Sequence, residues 1–149
     1  MITKILVPTD GSKTAQKAGA YAVNLAKQLN ASIIVISVMD KRLLANRIMP
    51  VGRSQPSVAE SIEDYQQEAA KRYAGEIKKL CEKRSIRSKT VIKSGHPVEE
   101  IVKEAEKSKA DLIVMGSHGQ SALAAATLGS VTYGVIHKDT TIPILVVKK

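Results

Sequence analysis

Apolar residues recur along this chain in two alternating rhythms. Ile2 to Val7, which ends in the apolar run Ile5-Leu6-Val7, is a candidate buried strand. Ser12 then stands where a cap belongs, before a helix to about Leu29 in which Ala15, Ala18, Ala22, Leu25, Ala26 and Leu29 recur at helical spacing. Ser32 to Val38 reads as a second strand. About residues 41 to 60, with Pro50, Gly52 and Pro56, no periodicity holds, and the stretch is expected to be an irregular, exposed and mobile loop. A long helix is predicted from about Ser57 to Arg84, a third strand over Lys89 to Lys93, and a turn at Gly95-His96-Pro97. A helix with Val98, Ile101, Val102 and Ala105 on one face follows that turn. Asp111 to Met115 is the fourth strand, a helix follows Ser130, and Ile144 to Val147 is the last strand, with Pro143 where a missing donor is tolerated. The alternation implies an α/β fold with a mainly parallel sheet and helices on both faces.

Composition narrows this picture. The 149 residues are 44% hydrophobic, enough to form one domain over residues 1–149 with a substantial core. Trp and Phe are absent and Tyr occurs four times, so the core rests on aliphatic residues and little aromatic surface exists for stacking bases, which argues against a nucleic-acid partner. The lone Cys81 excludes an intramolecular disulfide framework and reads as a small buried hydrophobe. The chain opens directly on a strand pattern and holds no apolar run near the ~18 residues of a membrane span, so a cytoplasmic, membrane-free protein is expected. The chain carries a net charge of +9, and basic residues cluster at Lys71, Arg72, Lys78, Lys79, Lys83, Arg84, Arg87, Lys89 and Lys93. Glu76 and Glu82 interleave with these cations, the pattern of an ordinary solvated helix face, while a patch that attracts nucleic acid or an acidic partner stays open as the alternative.

Candidate chemistry lies after the fourth strand. Gly116-Ser117-His118-Gly119 is followed by Gly129-Ser130-Val131-Thr132, and glycines between a buried strand and a helix let backbone N–H groups approach an anion closely. Gly116 and Gly119 can adopt positive φ and leave no Cβ between the chain and a ligand, and Ser130 is expected to cap a helix from about Val131. No Lys or Arg lies between residues 116 and 132. A phosphate would therefore be held by neutral amides and by the hydroxyls of Ser117, Ser121, Ser130 and Thr132, unlike a Walker loop or a dinucleotide fingerprint. Asp10, in the turn after the first strand, can accept hydrogen bonds from ribose hydroxyls. The alternative is that it simply shapes a turn with Gly11, leaving Ser12 as cap. His118 can touch phosphate but lacks the paired carboxylate of a catalyst, while His96 and His137 read as a turn residue and a helix C-terminal residue.

Gly116, Gly119, Gly129 and Ser130 match the G-x2-G-x9-G-[ST] signature of the universal stress proteins, and the chain resembles the nucleotide-binding branch of that family. Ile2 to Ser12 (ITKILVPTDGS) is similar to its first strand and acidic turn, and Pro143 to Lys149 (PILVVKK) to its last strand. The resemblance implies a Rossmann-like five-stranded sheet of order 3-2-1-4-5, whose switch point between the first and fourth strands brings the two glycine-bearing turns together. It implies nucleotide contacts from Pro8, Thr9, Asp10, Val38, Met115, Gly116, Ser117, His118, Gly119, Gly129, Ser130, Val131 and Thr132, with Asp10 at the nucleoside and the Val38 main chain at adenine. The family's frequent basic residues are replaced here by the neutral run Ala122 to Thr127.

The expected ligand is ATP, or AMP or ADP, with Mg²⁺ or Mn²⁺ entering on the phosphates. The expected role is a nucleotide-dependent stress sensor or regulator acting on a further protein partner. The loop offers neither a cationic clamp nor a group to orient a nucleophile, so at most slow hydrolysis is expected. The resemblance also points to a homodimer through the last strand, Pro143 to Val147, an apolar edge that needs cover. Two other readings compete. A protein-interaction module could keep the fold without nucleotide, and a receiver-like phosphoacceptor domain would share the sheet, although no Asp follows the third strand.

Overall fold

The computed structural model describes residues 1–42, 56–119 and 128–149. In chain order these form β1 (Lys4–Pro8), α1 (Lys13–Leu29), β2 (Ser32–Asp40), α2 (Pro56–Lys83), β3 (Ser88–Gly95), α3 (Pro97–Lys107), β4 (Leu112–Gly116), α4 (Ser130–Ile136) and β5 (Ile144–Val147). The strands make one five-stranded sheet of order β3-β2-β1-β4-β5, as the resemblance implied, and every pairing is parallel. β1 sits at the centre, with Leu6 opposite both Ile34 of β2 and Ile113 of β4.

Strand alternation divides the core into two layers. Ile5, Val7, Ile33, Val35, Leu112 and Val114 pack with Ala18, Ala22 and Ala26 of α1 and with Ala74, Ile77 and Cys81 of α2. Leu6, Ile34, Ile36, Ile113 and Met115 point the other way, onto Ile101, Val102 and Ala105 of α3 and Val135 of α4. The small residues of α1 allow close approach: a Cβ at Gly19 would lie 2.7 Å from Ile77 Cδ1, so α1 and α2 touch almost backbone to side chain. Cys81 is fully buried, and that burial raises its thiol pKa, consistent with a packing role.

Helix ends follow local chemistry. The Ser12 side chain accepts from Ala15 N at 3.2 Å and starts α1, while Asn30 ends it in the left-handed conformation at φ 55°. Pro97 opens the first turn of α3 after His96 at the cap position.

Three expectations need correction. β2 runs past Val38 to Asp40, because β3 is also longer than predicted and pairs with it as far as Gly95. The long helix begins at Pro56 rather than about Ser57, since proline's fixed φ suits a first helical turn; the loop expected over about 41 to 60 falls largely on residues 43–55, which lie outside the described residues. The last helix begins at Ser130 itself, with Gly129 rather than Ser130 at the cap position. Among the described residues, no helix is long and apolar enough to cross a membrane.

Candidate functional site

β1 and β4 are neighbours whose connections leave toward opposite edges of the sheet, so their carboxyl ends open onto a switch point. The turn after β1 is built from its own polar groups. Thr9 N donates to Ile36 O at 2.9 Å and extends the ladder by one residue. The buried Thr9 hydroxyl accepts from Gly11 N at 3.2 Å, and Asp10 Oδ1 accepts from Ser12 N at 3.0 Å. This is an Asx turn closed by Gly11 at φ 80°, a value that favours glycine. The turn-forming role foreseen for Asp10 is therefore real, and it occupies one carboxylate oxygen.

The turn after β4 is tied down at each step. Ser117 N donates to Val147 O at 3.0 Å, and Gly129 N donates to Ser117 O at 2.6 Å, bringing the two glycine clusters together. The Thr132 hydroxyl donates to Gly116 O at 2.8 Å and is buried, so its proton is committed to holding α4 against the strand end. Ser117 is likewise buried, with its hydroxyl 3.0 Å from His118 Nδ1. Ser130 is exposed in the first turn of α4, and Val131 packs partly against the α3 and α4 layer. Ser121 and the run 122–127 lie outside the described residues.

The two turns meet directly. Thr14 in the first turn of α1 donates through Oγ1 to His118 O at 2.8 Å. A Cβ at Gly116 would lie 2.8 Å from Thr14 O, and one at Gly119 would lie 2.5 Å from Asp10 Oδ2. These glycines serve close approach rather than positive φ: among the described residues, the left-handed glycines are Gly11 and Gly95. Of the two uses foreseen for Gly116 and Gly119, positive φ is not taken up, and the missing Cβ serves the approach of Thr14 and Asp10. At Gly129 a Cβ would stand 3.2 Å from His118 Cα, again a close backbone crossing.

The remaining predicted residues surround this junction unevenly. Pro8 and Met115 are buried at the strand ends, and the Met115 side chain lies in the core layer below. Val38, half-buried, lies on β2, which continues to Asp40. Burial pushes the Asp40 carboxyl pKa up, but hydrogen bonds from Arg42, at 2.9 Å from its N–H and 3.1 Å from Nε, outweigh it and leave the value lowered. Among the described residues, no group of three or more His, Cys, Asp or Glu side chains could hold a metal ion.

Sequence reasoning missed Thr14, Gln16 and Tyr73. Gln16 Nε2 donates to Gly11 O at 3.3 Å, and the Tyr73 ring covers Gly11. Thr14 and Gln16 could have been found from their place in the first turn after the acidic loop. Tyr73 carried no local signal, because it comes from a helix far along the chain.

Residues 1–148 match the model of the universal stress protein family. Universal stress protein MJ0531 of Methanocaldococcus jannaschii is 40% identical over 146 residues, covering 98% of this chain and 82% of its own length. The solved structure of MJ0577, for which the same organism's curated protein is named a universal stress protein, superposes with a TM-score of 0.84 at 36% identity, covering 100% of this chain and 97% of that one. The same fold, at 20% identity and a TM-score of 0.64 over 98% of both chains, occurs in a universal stress protein from Archaeoglobus fulgidus solved in complex with dAMP. With its sheet order, its paired turns and a family match over nearly its whole length, the chain belongs to the universal stress protein family.

Proposed function

We propose that this protein binds an adenine nucleotide, ATP in its working form, where the turns after β1 and β4 meet, and acts as a nucleotide-dependent regulator of a stress response. One observation carries the reading: Asp10 Oδ2 stands against Gly119, which has no side chain to separate the carboxylate from the neighbouring backbone. A carboxylate able to read ribose and a glycine-lined backbone able to approach phosphate are thereby set side by side. The dAMP complex of the Archaeoglobus protein supports an adenine nucleotide as the ligand class.

In this reading Pro8, Thr9 and Asp10 border the nucleoside, and the Val38 main chain borders adenine. Met115, Gly116, Ser117, His118, Gly119, Gly129, Ser130, Val131 and Thr132 form the phosphate side. Thr132 and Ser117 act there mainly by bracing the loop, given their buried hydroxyls. Mg²⁺ or Mn²⁺ would ride on the phosphates and neutralise part of their charge. With no Lys or Arg from residue 116 to 132, the loop binds by neutral groups and is suited to holding a nucleotide rather than turning it over rapidly. Mass spectrometry of small molecules released from the purified protein, followed by calorimetry with ATP, tests the reading. Adenine nucleotide released, or ATP bound at micromolar to millimolar concentration, supports it; neither result leaves the interaction-module reading in its place.

The partner surface in this reading is β5, an edge strand of the sheet with Ile144, Leu145 and Val146 half-buried. Antiparallel pairing with β5 of a second copy would satisfy its outer backbone groups by two-fold symmetry. Light scattering should show a dimer at tens of micromolar and a shift toward monomer for Val146→Pro. A monomeric wild type removes this part of the proposal.

A further inference from the structure

The turn that carries Asp10 is covered from outside by α2. A Cβ added at Gly11 would overlap the Tyr73 ring, so the ring lies in direct contact with the glycine backbone at its left-handed φ of 80°. The Arg72 guanidinium lies over the same ring, 5.4 Å from its centroid, and steadies it. A polar contact reaches the same residue from a second helix: Gln16 Nε2 donates to Gly11 O at 3.3 Å and to Glu76 Oε2 on α2 at 3.1 Å. Gly11 is the link between Asp10 and the Ser12 N–H that holds Asp10 Oδ1. Any change in its φ redirects that N–H and frees the carboxylate to leave Gly119.

We infer that Tyr73, seconded by the Gln16–Glu76 pair, is a positioning residue for the nucleotide site. It holds the Asp10-Gly11-Ser12 turn in the left-handed form that sets the Asp10 carboxylate against Gly119, and so governs how strictly the site reads a ribose hydroxyl. The inference takes its ligand from the proposed nucleotide reading, but its geometry stands apart from that reading. The physical basis is preorganisation: glycine has more backbone freedom than any other residue, and an unheld turn would have to be ordered at the moment of binding.

The test uses the intact protein with Tyr73→Ala and Tyr73→Phe, and reads two quantities. The first is amide hydrogen exchange at Gly11 and Ser12 without nucleotide, followed by NMR. The second is the ratio of affinities for ATP and 3′-deoxy-ATP, by calorimetry. In Tyr73→Ala, exchange at both amides should rise about tenfold, as a local opening becomes easier. ATP should bind about tenfold more weakly while the deoxy analogue is unchanged, the size of one lost hydrogen bond. Tyr73→Phe keeps the ring and should restore both readouts to wild type. Gln16→Ala, at an exposed position, should move both in the same direction by about two- to threefold, and serves if Tyr73→Ala folds poorly. Unchanged exchange overturns the inference, as does faster exchange with an intact ATP to deoxy-ATP ratio, or an equal loss for both ligands. If the wild type binds no ATP, the nucleotide reading fails by itself. The positioning role is then decided on exchange alone: faster in Tyr73→Ala and normal in Tyr73→Phe supports it, no difference overturns it.

Discussion

The β1–β4 pair carries an aspartate at each end, Asp111 at the amino end and Asp10 at the carboxyl end, and both receive main-chain N–H groups. Asp111 Oδ2 accepts from Thr3 N at 2.9 Å, from the Thr3 hydroxyl at 3.0 Å and from Lys4 N at 3.0 Å, while Asp111 N returns a bond to Lys4 O at 2.8 Å. These partners lie at the start of β1, Lys4 on the strand and Thr3 just ahead of it. Those donors, Thr3 N first, then its hydroxyl, hold the Asp111 carboxyl below its ordinary value of 3.8. Asp10 instead accepts from Ser12 within its own turn, and sets its second oxygen against a glycine on another loop. The same residue type is a strand staple where side chains and strand ends surround it. It becomes a candidate reader of a ligand where glycine backbone does.

The sharpest way to break this contrast is to give the carboxyl end a side chain. Gly116→Val would drive a Cβ to 2.8 Å from the Thr14 carbonyl, a backbone atom that cannot swing away, and should destabilise the fold by about 3 kcal/mol in chemical denaturation. Among the described residues, a Cβ at Gly119 meets the end of the Asp10 side chain, which can move. Gly119→Val should cost under about 1 kcal/mol of stability yet weaken ATP binding by about a hundredfold, because it both displaces Asp10 and fills the backbone approach. Full affinity in a folded Gly119→Val protein, measured by calorimetry, would remove the site from this junction.

Asp10→Ala sharpens the comparison from the other side. It should weaken ATP about tenfold and abolish discrimination against 3′-deoxy-ATP, since the group that pairs the hydroxyl is gone. Asp111→Ala should do the converse, with stability lower by about 1 kcal/mol, modest because the site is partly solvated, and nucleotide affinity unchanged. A loss of affinity in Asp111→Ala matching that in Asp10→Ala would dissolve the distinction between staple and reader.

The smallest effect is in the acid limb. A carboxyl whose folded pKa is lowered contributes stability that is complete above its unfolded value and is lost as pH falls through the folded one. For Asp111, and for Asp40 under Arg42, that window lies below about pH 4, starting from the ordinary value of 3.8. Wild-type melting temperature should therefore fall on acidification through this range, and Asp111→Ala should show a shallower fall. Identical acid limbs in the two proteins would mean that the Asp111 hydrogen bonds carry no pH-dependent stability.

Much of the architecture was legible before any coordinates. The continuous apolar runs at Ile5 to Val7 and Ile33 to Ile36 report strands buried on both faces, and the helical recurrence of Ala15, Ala18, Ala22 and Ala26 reports which side of α1 faces the core. Burial is a property that each segment carries in its own pattern. The glycine clusters and Asp10 announced themselves for the same reason, as residue types unusual for their local setting. The order of strands came from the family resemblance, because periodicity says nothing about which strand lies beside which.

What each glycine is for could be decided only in three dimensions. Gly116 and Gly119 could serve by positive φ or by the missing Cβ, and the missing Cβ is what counts, because Thr14 and Asp10 come too close for one. Gly11, in the turn that seemed routine, holds the left-handed conformation, under a tyrosine from α2. Asp111 gave no hint that it would receive three donors from Thr3 and Lys4. By itself, then, the sequence determined the elements, their buried faces and the residue types available at the strand ends. Tertiary structure decided which of those residues meet, because approach distances depend on strand order and helix docking, and these join segments that no local pattern connects.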